Sequence, residues 1–455
     1  MKRKNEWNRK AMKRRIKNAS NGIVELLKII HHFFDDFKSW IGEMKDPRCI
    51  PYCTYTQQDY IFMAILKNIC GQKSMSSMDE NFNEDICIKT LQIMSGDNEL
   101  NEMPHKDSLN YYLERLEPNC LSDLREKMIK RLIRMKSFNR ARVLNKYWRV
   151  ILDGTGIHYY KEKPDEHCLV STVTKEDGTK VKMYYRKVLE AKIILGDKLV
   201  FSLDTEFIEN ENENVSKQDC EVRAAERLLN RVKENYPRMD FCIQGDALYA
   251  TEPFMAFCRE KQWQYLFTIK DGRQPLLTET FRWIIQGDDE NTVKNIGAEL
   301  GTGKFCNHVE VTAGKNGVAN MFEYAFEKPQ NEETRNYHFQ WITNIMIDKK
   351  NLEELVGAGR GRWKIENEGF NNQKNGIYDI EHLNSHNYNA IKNHYILTQI
   401  SDIIMQLYLS WSPLLKQAKT TIKNTSAWLL ESFRTHTITE ADVSYIETYT
   451  TIYLE

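Results

Sequence analysis

Between residues 148 and 270, strand-like and helix-like runs follow one another in an order that few chain paths can satisfy. Trp148 to Leu152 is a short apolar run with strand character that ends at Asp153. Val188 to Leu195 and Lys198 to Asp204 flank Gly196-Asp197, a pair that predicts a hairpin turn. Ser216 then caps a helix through Asn230, with Asp219 in its first turn. Phe241 to Ile243 reads as a strand, Glu252 to Lys261 as a helix, and Tyr265 to Lys270 as another strand. Three strands followed by helix, strand, helix and strand require parallel strands joined by helical crossovers.

Two of these strands deliver a carboxylate. Asp153 sits in Arg149-Val-Ile-Leu-Asp-Gly-Thr-Gly156, and Asp246 in Phe241-Cys-Ile-Gln-Gly-Asp-Ala-Leu-Tyr249, each where an apolar run gives way to a turn. A third, Glu366, lies in Arg362-Trp-Lys-Ile-Glu-Asn-Glu-Gly-Phe370 on a helix-like stretch far downstream. Strand-end carboxylates that converge with a helix carboxylate can hold hard divalent cations, because Mg²⁺ prefers oxygen ligands and keeps water positions open for a phosphate. Two such ions about 4 Å apart serve phosphodiester chemistry. Blander roles stand beside this one. An Asp at a strand end commonly caps a turn, and Glu366 could pair with Arg362 one helical turn earlier.

Four segments carry a family resemblance: Leu152-Asp-Gly-Thr, Lys217-Gln-Asp-Cys-Glu221, Gly245-Asp-Ala-Leu-Tyr-Ala250 and Arg362-Trp-Lys-Ile-Glu-Asn-Glu-Gly-Phe-Asn371. With the order Asp, Asp, Glu, the chain resembles the DDE transposases of bacterial insertion sequences over roughly residues 45 to 410. It is most similar to the subgroup with a β-rich insertion between the second Asp and the Glu. The resemblance implies an α/β fold, with a ribonuclease-H-like catalytic core, a helical N-terminal domain and a β-rich insertion. It also implies Mg²⁺ (or Mn²⁺) as cofactor, two ions held by Asp153, Asp246 and Glu366, with Asp153 bridging both. Arg362 and Lys374 would contact DNA phosphate. The implied partners are double-stranded DNA, at element ends and target, and a second protomer in the DNA complex. The implied reaction is hydrolysis at element ends followed by strand transfer. The competing readings are a nuclease that cuts without joining and a domesticated protein that only binds DNA. This sequence departs from the family pattern at Gly359, where relatives often carry Tyr. Lys374 lies eight rather than seven positions after Glu366, which leaves Glu368 as a rival third ligand. Relatives that stack a flipped base on an aromatic ring draw notice to Trp283 and Trp341, although core packing is a Trp's ordinary role. His158 and Lys270 could touch DNA; neither is expected to be catalytic.

The 120 positions between Asp246 and Glu366 exceed what a bare core needs. They contain Val309 to Thr312, Phe322 to Phe326 and Tyr337 to Ile345, rich in β-branched and aromatic residues. The expected domains are therefore 1–145, helical and DNA-binding; 146–280 with 350–410, catalytic; 281–349, the insertion; and 411–455, a helical tail. In the first domain, helices are expected over Gly22 to Trp40, Tyr60 to Ile69, Leu109 to Leu116 and Leu121 to Lys136. Leu352 to Gln373 should also be helical, with its start blurred by Gly357, Gly359 and Gly361, and His394 to Trp411 should be a buried helix.

Charge balances overall, with 64 Lys or Arg against 64 Asp or Glu, so net charge gives no hint of a polyanionic partner. Local charge does. The first twenty residues carry nine Lys or Arg against one Glu, and Arg125 to Arg149 carries ten against one. Arg131, Arg134 and Arg142 are the DNA-binding candidates there, as is the basic arm Lys2 to Lys17. Solvated helix faces are the plainer account of such runs. Ten scattered cysteines lack the paired spacing of a zinc site, Cys49 and Cys53 being the only close pair. Free thiols in a reducing cytosol are expected. The start has no apolar stretch of a secretory signal, no run reaches eighteen apolar residues, and a cytoplasmic location follows.

Overall fold

The structure is a computed structural model that describes residues 21–196, 199–213, 215, 217–270, 272, 274–287, 289–311, 317–330, 333–411 and 420–448. The basic arm, Asp197, Lys198, Ser216 and Thr312 lie outside these residues. The chain divides into two compact units, Met1–Phe138 with Gly369–Glu455, and Asn139–Glu368.

The first unit opens with helices α1 (Gly22–Phe33), α2 (Phe37–Gly42), α3 (Gln57–Ile69), α4 (Met75–Phe82), α5 (Asp85–Ser95), α6 (Lys106–Arg115) and α7 (Pro118–Arg134). A single helix over 22–40 was expected, but the chain bends between α1 and α2. The bend lets Phe33, Phe34 and Phe37 all reach the core, which one straight apolar stripe would not allow. α3 starts at a capping box in which Thr56 and Asp59 satisfy each other's backbone amides. α5 stops at Gly96, whose φ of 79° is the left-handed conformation that glycine adopts without strain.

The second unit is built on one ten-stranded sheet. Its elements are β1 (Trp148–Tyr160), β2 (Leu169–Thr174), β3 (Lys180–Ile194), β4 (Val200–Ile208), α8 (Glu221–Asn235), β5 (Phe241–Gly245), α9 (Glu252–Glu260), β6 (Gln264–Ile269), α10 (Pro275–Ile285), β7 (Thr292–Ile296), β8 (Gly301–Glu310), β9 (Val318–Gln330), β10 (Glu333–Thr343) and α11 (Leu352–Arg360). β1 and β4 flank β3 antiparallel, and β5 and β6 follow β1 in parallel. An antiparallel meander that continues into two parallel strands through helical crossovers is the ribonuclease-H-like topology. β2 adds a hairpin that the sequence did not foretell. α8 begins at Glu221, so Asp219 precedes it and instead pairs with Arg227 at 2.6 Å.

Two expectations about the sheet need correction. The first strand does not end at Asp153; β1 runs on through Asp-Gly-Thr-Gly to Tyr160 because β3 continues to pair with it. Only the parallel partner stops, the last β1–β5 pair being Ile151 with Gln244. The insertion is no separate body. Residues 281–285 belong to helix α10, and β10 pairs antiparallel with β6, so β7–β10 extend the central sheet. Their inner face forms one core with α11, in which Phe322, Tyr324 and Trp341 meet Leu352, Leu355 and Val356.

After α11 the chain tightens into a 3₁₀ turn at Gly361–Trp363 and then widens into a π-helical stretch at Ile365–Asn371. The short α12 (Asn372–Asn375), then α13 (Tyr388–Trp411), α14 (Ile422–Thr435) and α15 (Glu440–Thr448) complete the helical unit. α13 was expected among the catalytic segments, yet it packs against α1, α3, α6 and α7. Asn393 donates to the backbone oxygens of Leu113 and Leu116 at 2.7 Å each, satisfying carbonyls that α6 leaves open at its end.

Candidate active site

Register places Asp153 and Asp246 side by side. β1 and β5 are neighbouring parallel strands, and each Asp lies two residues beyond the last pair, Ile151 with Gln244. Strands in a sheet are about 4.8 Å apart. Asp246 follows β5 directly and folds back on its own turn, its Oδ1 accepting from the Leu248 amide at 2.8 Å. Asp153 accepts from the Gly154 amide at 3.0 Å.

Glu366 enters through Arg362. The Arg362 guanidinium lies 3.2 Å from Glu366 Oε1 and 3.9 Å from Asp153 Oδ2, so one cation spans the first and third carboxylates. The i,i+4 pair foreseen as the plain alternative is therefore present, and it reaches a catalytic candidate as well. The Asp153 carboxyl is pushed up to about 6, chiefly by burial. Glu366 and Glu221 raise it further, while Arg362 and the Gly154 amide pull it down. Tyr249 senses the same cluster: its hydroxyl is held well above the usual range by burial first, then by Glu221, Asp153 and Asp246.

Among the described residues, no three His, Cys, Asp or Glu side chains stand close enough to cage a metal ion as they are. The donor set nonetheless suits a hard cation. It consists of carboxylate oxygens, Asp153 is pushed towards protonation by burial first and by like charges after it, and a guanidinium already serves as counter-charge between two of them. The Glu368 side chain, the rival third ligand, lies outside what the structure describes.

The insertion strands hold the Arg362 segment in place. Arg360 grips Glu299 through both carboxylate oxygens, at 2.5 and 2.8 Å, and stacks over the rings of Tyr324, Phe326 and Phe339. Gly359, the family's Tyr position, presses on the indole of Trp341; a Cβ there would lie 2.6 Å from it. Trp341 is thus core, stacked on Phe322 with ring centroids 5.0 Å apart. Trp283 on α10 is 78% exposed.

The remaining candidates are dispersed. Lys374 belongs to the helical unit and pairs with Glu381 at 2.7 Å. Arg131 meets Asp35 and Asp36, and Arg134 is exposed in the last turn of α7. Arg142 belongs to the sheet-based unit, donates to the Asn139 carbonyl at 3.2 Å and stacks over Trp148. His158 is buried on β1, and Lys270 is exposed just after β6. Glu221 received no role from the sequence although it lies in a motif segment; its neighbours become visible only in the fold.

Comparison with curated protein sequences gives no match. Among solved structures, the piggyBac transposase in its synaptic complex with hairpin DNA is similar at 10% identity, covering 93% of this chain and 84% of that one, with a TM-score of 0.41. Residues 144–401 match the family described as the transposase DDE domain. That span takes in both aspartate-bearing strands, the insertion and the Arg362–Glu366 segment, and the chain belongs to the DDE transposases, enzymes that cut DNA and transfer its strands.

Proposed function

We propose that Asp153, Asp246 and Glu366 are the catalytic carboxylates of this transposase, and that they hold two Mg²⁺ or Mn²⁺ ions. Transposases of this family bind DNA and depend on divalent metal in general. The observation that carries the assignment is the β1–β5 register together with the Arg362 bridge from Asp153 to Glu366. When bound, the cations supply Lewis-acid activation of the scissile phosphodiester and neutralise charge on both sides of the phosphorus.

The chain's own groups do the rest. Asp153 and Asp246 fix their part of the site from a rigid sheet. Arg362, which lies against Asp153 and Glu366 here, would be free to turn its fork to a DNA phosphate if cations answered their charge, a geometry that Lys cannot reproduce. Hydrolysis of one strand at an element end leaves a 3′-hydroxyl, which attacks a second phosphodiester in target DNA. We assign the work to a homodimer on double-stranded DNA. A cytosolic setting suits the ten cysteines, all of them free thiols; among the described residues no helix is long and apolar enough to cross a membrane.

Cleavage and joining of a labelled element end test the reading. Asp153→Asn, Asp246→Asn and Glu366→Gln should each lower cleavage by at least ~10³-fold, since a catalytic cation contributes several kcal/mol to the transition state. DNA binding should survive or tighten, because each change removes negative charge near phosphate. Excess EDTA should abolish cleavage, and Ca²⁺ should not restore it. Cleavage without strand transfer would point to a plain nuclease. Loss of activity in Glu368→Gln but not in Glu366→Gln would move the third role to Glu368.

A further inference from the structure

We propose that Glu221, acting with Tyr249 and Lys187, is a positioning residue that sets the placement of Asp153 relative to Asp246. The inference rests on the active-site reading above. Glu221 stands in the first turn of α8, where the helix dipole favours a carboxylate. Both of its oxygens are engaged: Oε1 accepts from the Tyr249 hydroxyl at 2.8 Å, and Oε2 from Lys187 Nζ at 2.5 Å. These partners lie on different elements. Lys187 belongs to β3, and Tyr249 closes the turn that carries Asp246, its amide donating to the Asp246 carbonyl at 3.1 Å.

Two glycines make room for this clasp, and each is the chain neighbour of a catalytic Asp. A Cβ at Gly154 would lie 2.5 Å from Glu221 Oε2 and 2.8 Å from Lys187 Cε. A Cβ at Gly245 would lie 2.5 Å from the Tyr249 ring. The Asp-Gly and Gly-Asp pairs of the motifs therefore mark places where β1 and the β5 turn close around one carboxylate. Glu221 touches the backbone beside Asp153 on one side and, through Tyr249, the turn beside Asp246 on the other. Removing the Tyr249 hydroxyl unties the turn from α8 without emptying the core, because the ring remains against Phe254, with centroids 5.0 Å apart.

The test is Mn²⁺ binding to the DNA-free full chain, followed by the spin signal of free Mn²⁺, beside cleavage kinetics and thermal unfolding without cation. Tyr249→Phe and Glu221→Gln should remain folded, weaken Mn²⁺ binding about tenfold or more, as loss of a ligand's supporting partner does, and lower kcat with KM for the DNA end unchanged. Parental Mn²⁺ affinity and kcat in both variants would overturn the proposal. So would a loss of binding that only follows the unfolded fraction. Asp153→Asn, measured alongside, separates the two levels. If it abolishes Mn²⁺ binding while the Tyr249 and Glu221 variants do not, the positioning role alone fails; if it binds like the parent, the active-site reading fails and takes the clasp with it.

Discussion

Asp153 and Lys67 show how the fold burdens single charged residues. Asp153 is largely buried and also faces the like charges of Glu366 and Glu221. Lys67, on α3, is only 2% exposed. Burial pushes its ammonium down to about 8, opposed by the charge of Asp379. The folded value lies below the unfolded one, so between about 8 and 10.5 the unfolded chain binds more protons, and this group's contribution to stability rises with pH. Below 8 the cost of burying the charge is present in full. Lys67→Met should therefore raise the urea midpoint at pH 7. The stability difference from the parent should shrink as pH climbs through that window; a pH-independent difference would show that packing, not charge, sets the effect.

At the scale of elements, the segment carrying Arg362 and Glu366 owes its position to the insertion. Core contacts of α11 with β9 and β10, and the grip of Arg360 on Glu299, anchor a stretch whose helical hydrogen bonding changes type twice within eleven residues, from the 3₁₀ turn to the end of the π-helical stretch. Irregular helix of this kind recurs at functional sites because it re-aims side chains that a regular helix would spread around its axis. Gly359 is the close-packed point. Gly359→Ala would drive a methyl group into the Trp341 indole, and the strain should cost roughly 1–3 kcal/mol. The expected result is a lower melting temperature and, from the displaced Arg362, slower cleavage. An unchanged melting temperature would mean that Trp341 yields easily and that the insertion does not brace this segment.

The whole molecule is electrically neutral, yet its partner is a polyanion, so affinity must come from local charge. Much of the basic run near residue 130 is answered by acids: Lys127 meets Glu43 at 3.0 Å, and Arg131 meets Asp35 and Asp36. The nine basic residues before residue 21 have one acidic companion in sequence and are the larger reserve. Log affinity for DNA should fall linearly with log salt, by about 0.9 per phosphate neutralised. Deleting residues 1–20 should weaken binding to all sequences and flatten that slope, as read by titration at several salt concentrations. An unchanged slope would assign the phosphate contacts to the folded units instead.

Local pattern made much of this protein legible. Apolar runs of period two and 3.6 marked most of the strands and helices, because burying one face of an element demands that spacing. The order of those runs limited the sheet to a meander continued by parallel strands, and the motif spacing singled out Asp153, Asp246 and Glu366. What sequence could not settle depends on partners distant along the chain. β1 outran its expected end because β3 pairs with it; the insertion joined the central sheet because β10 found the free edge of β6; α13 left the catalytic segments for α1, α3, α6 and α7. The role proposed for Glu221 belongs with these. Its meaning lies in Tyr249 and Lys187, 28 and 34 residues away, and in two glycines whose missing side chains leave the space it fills.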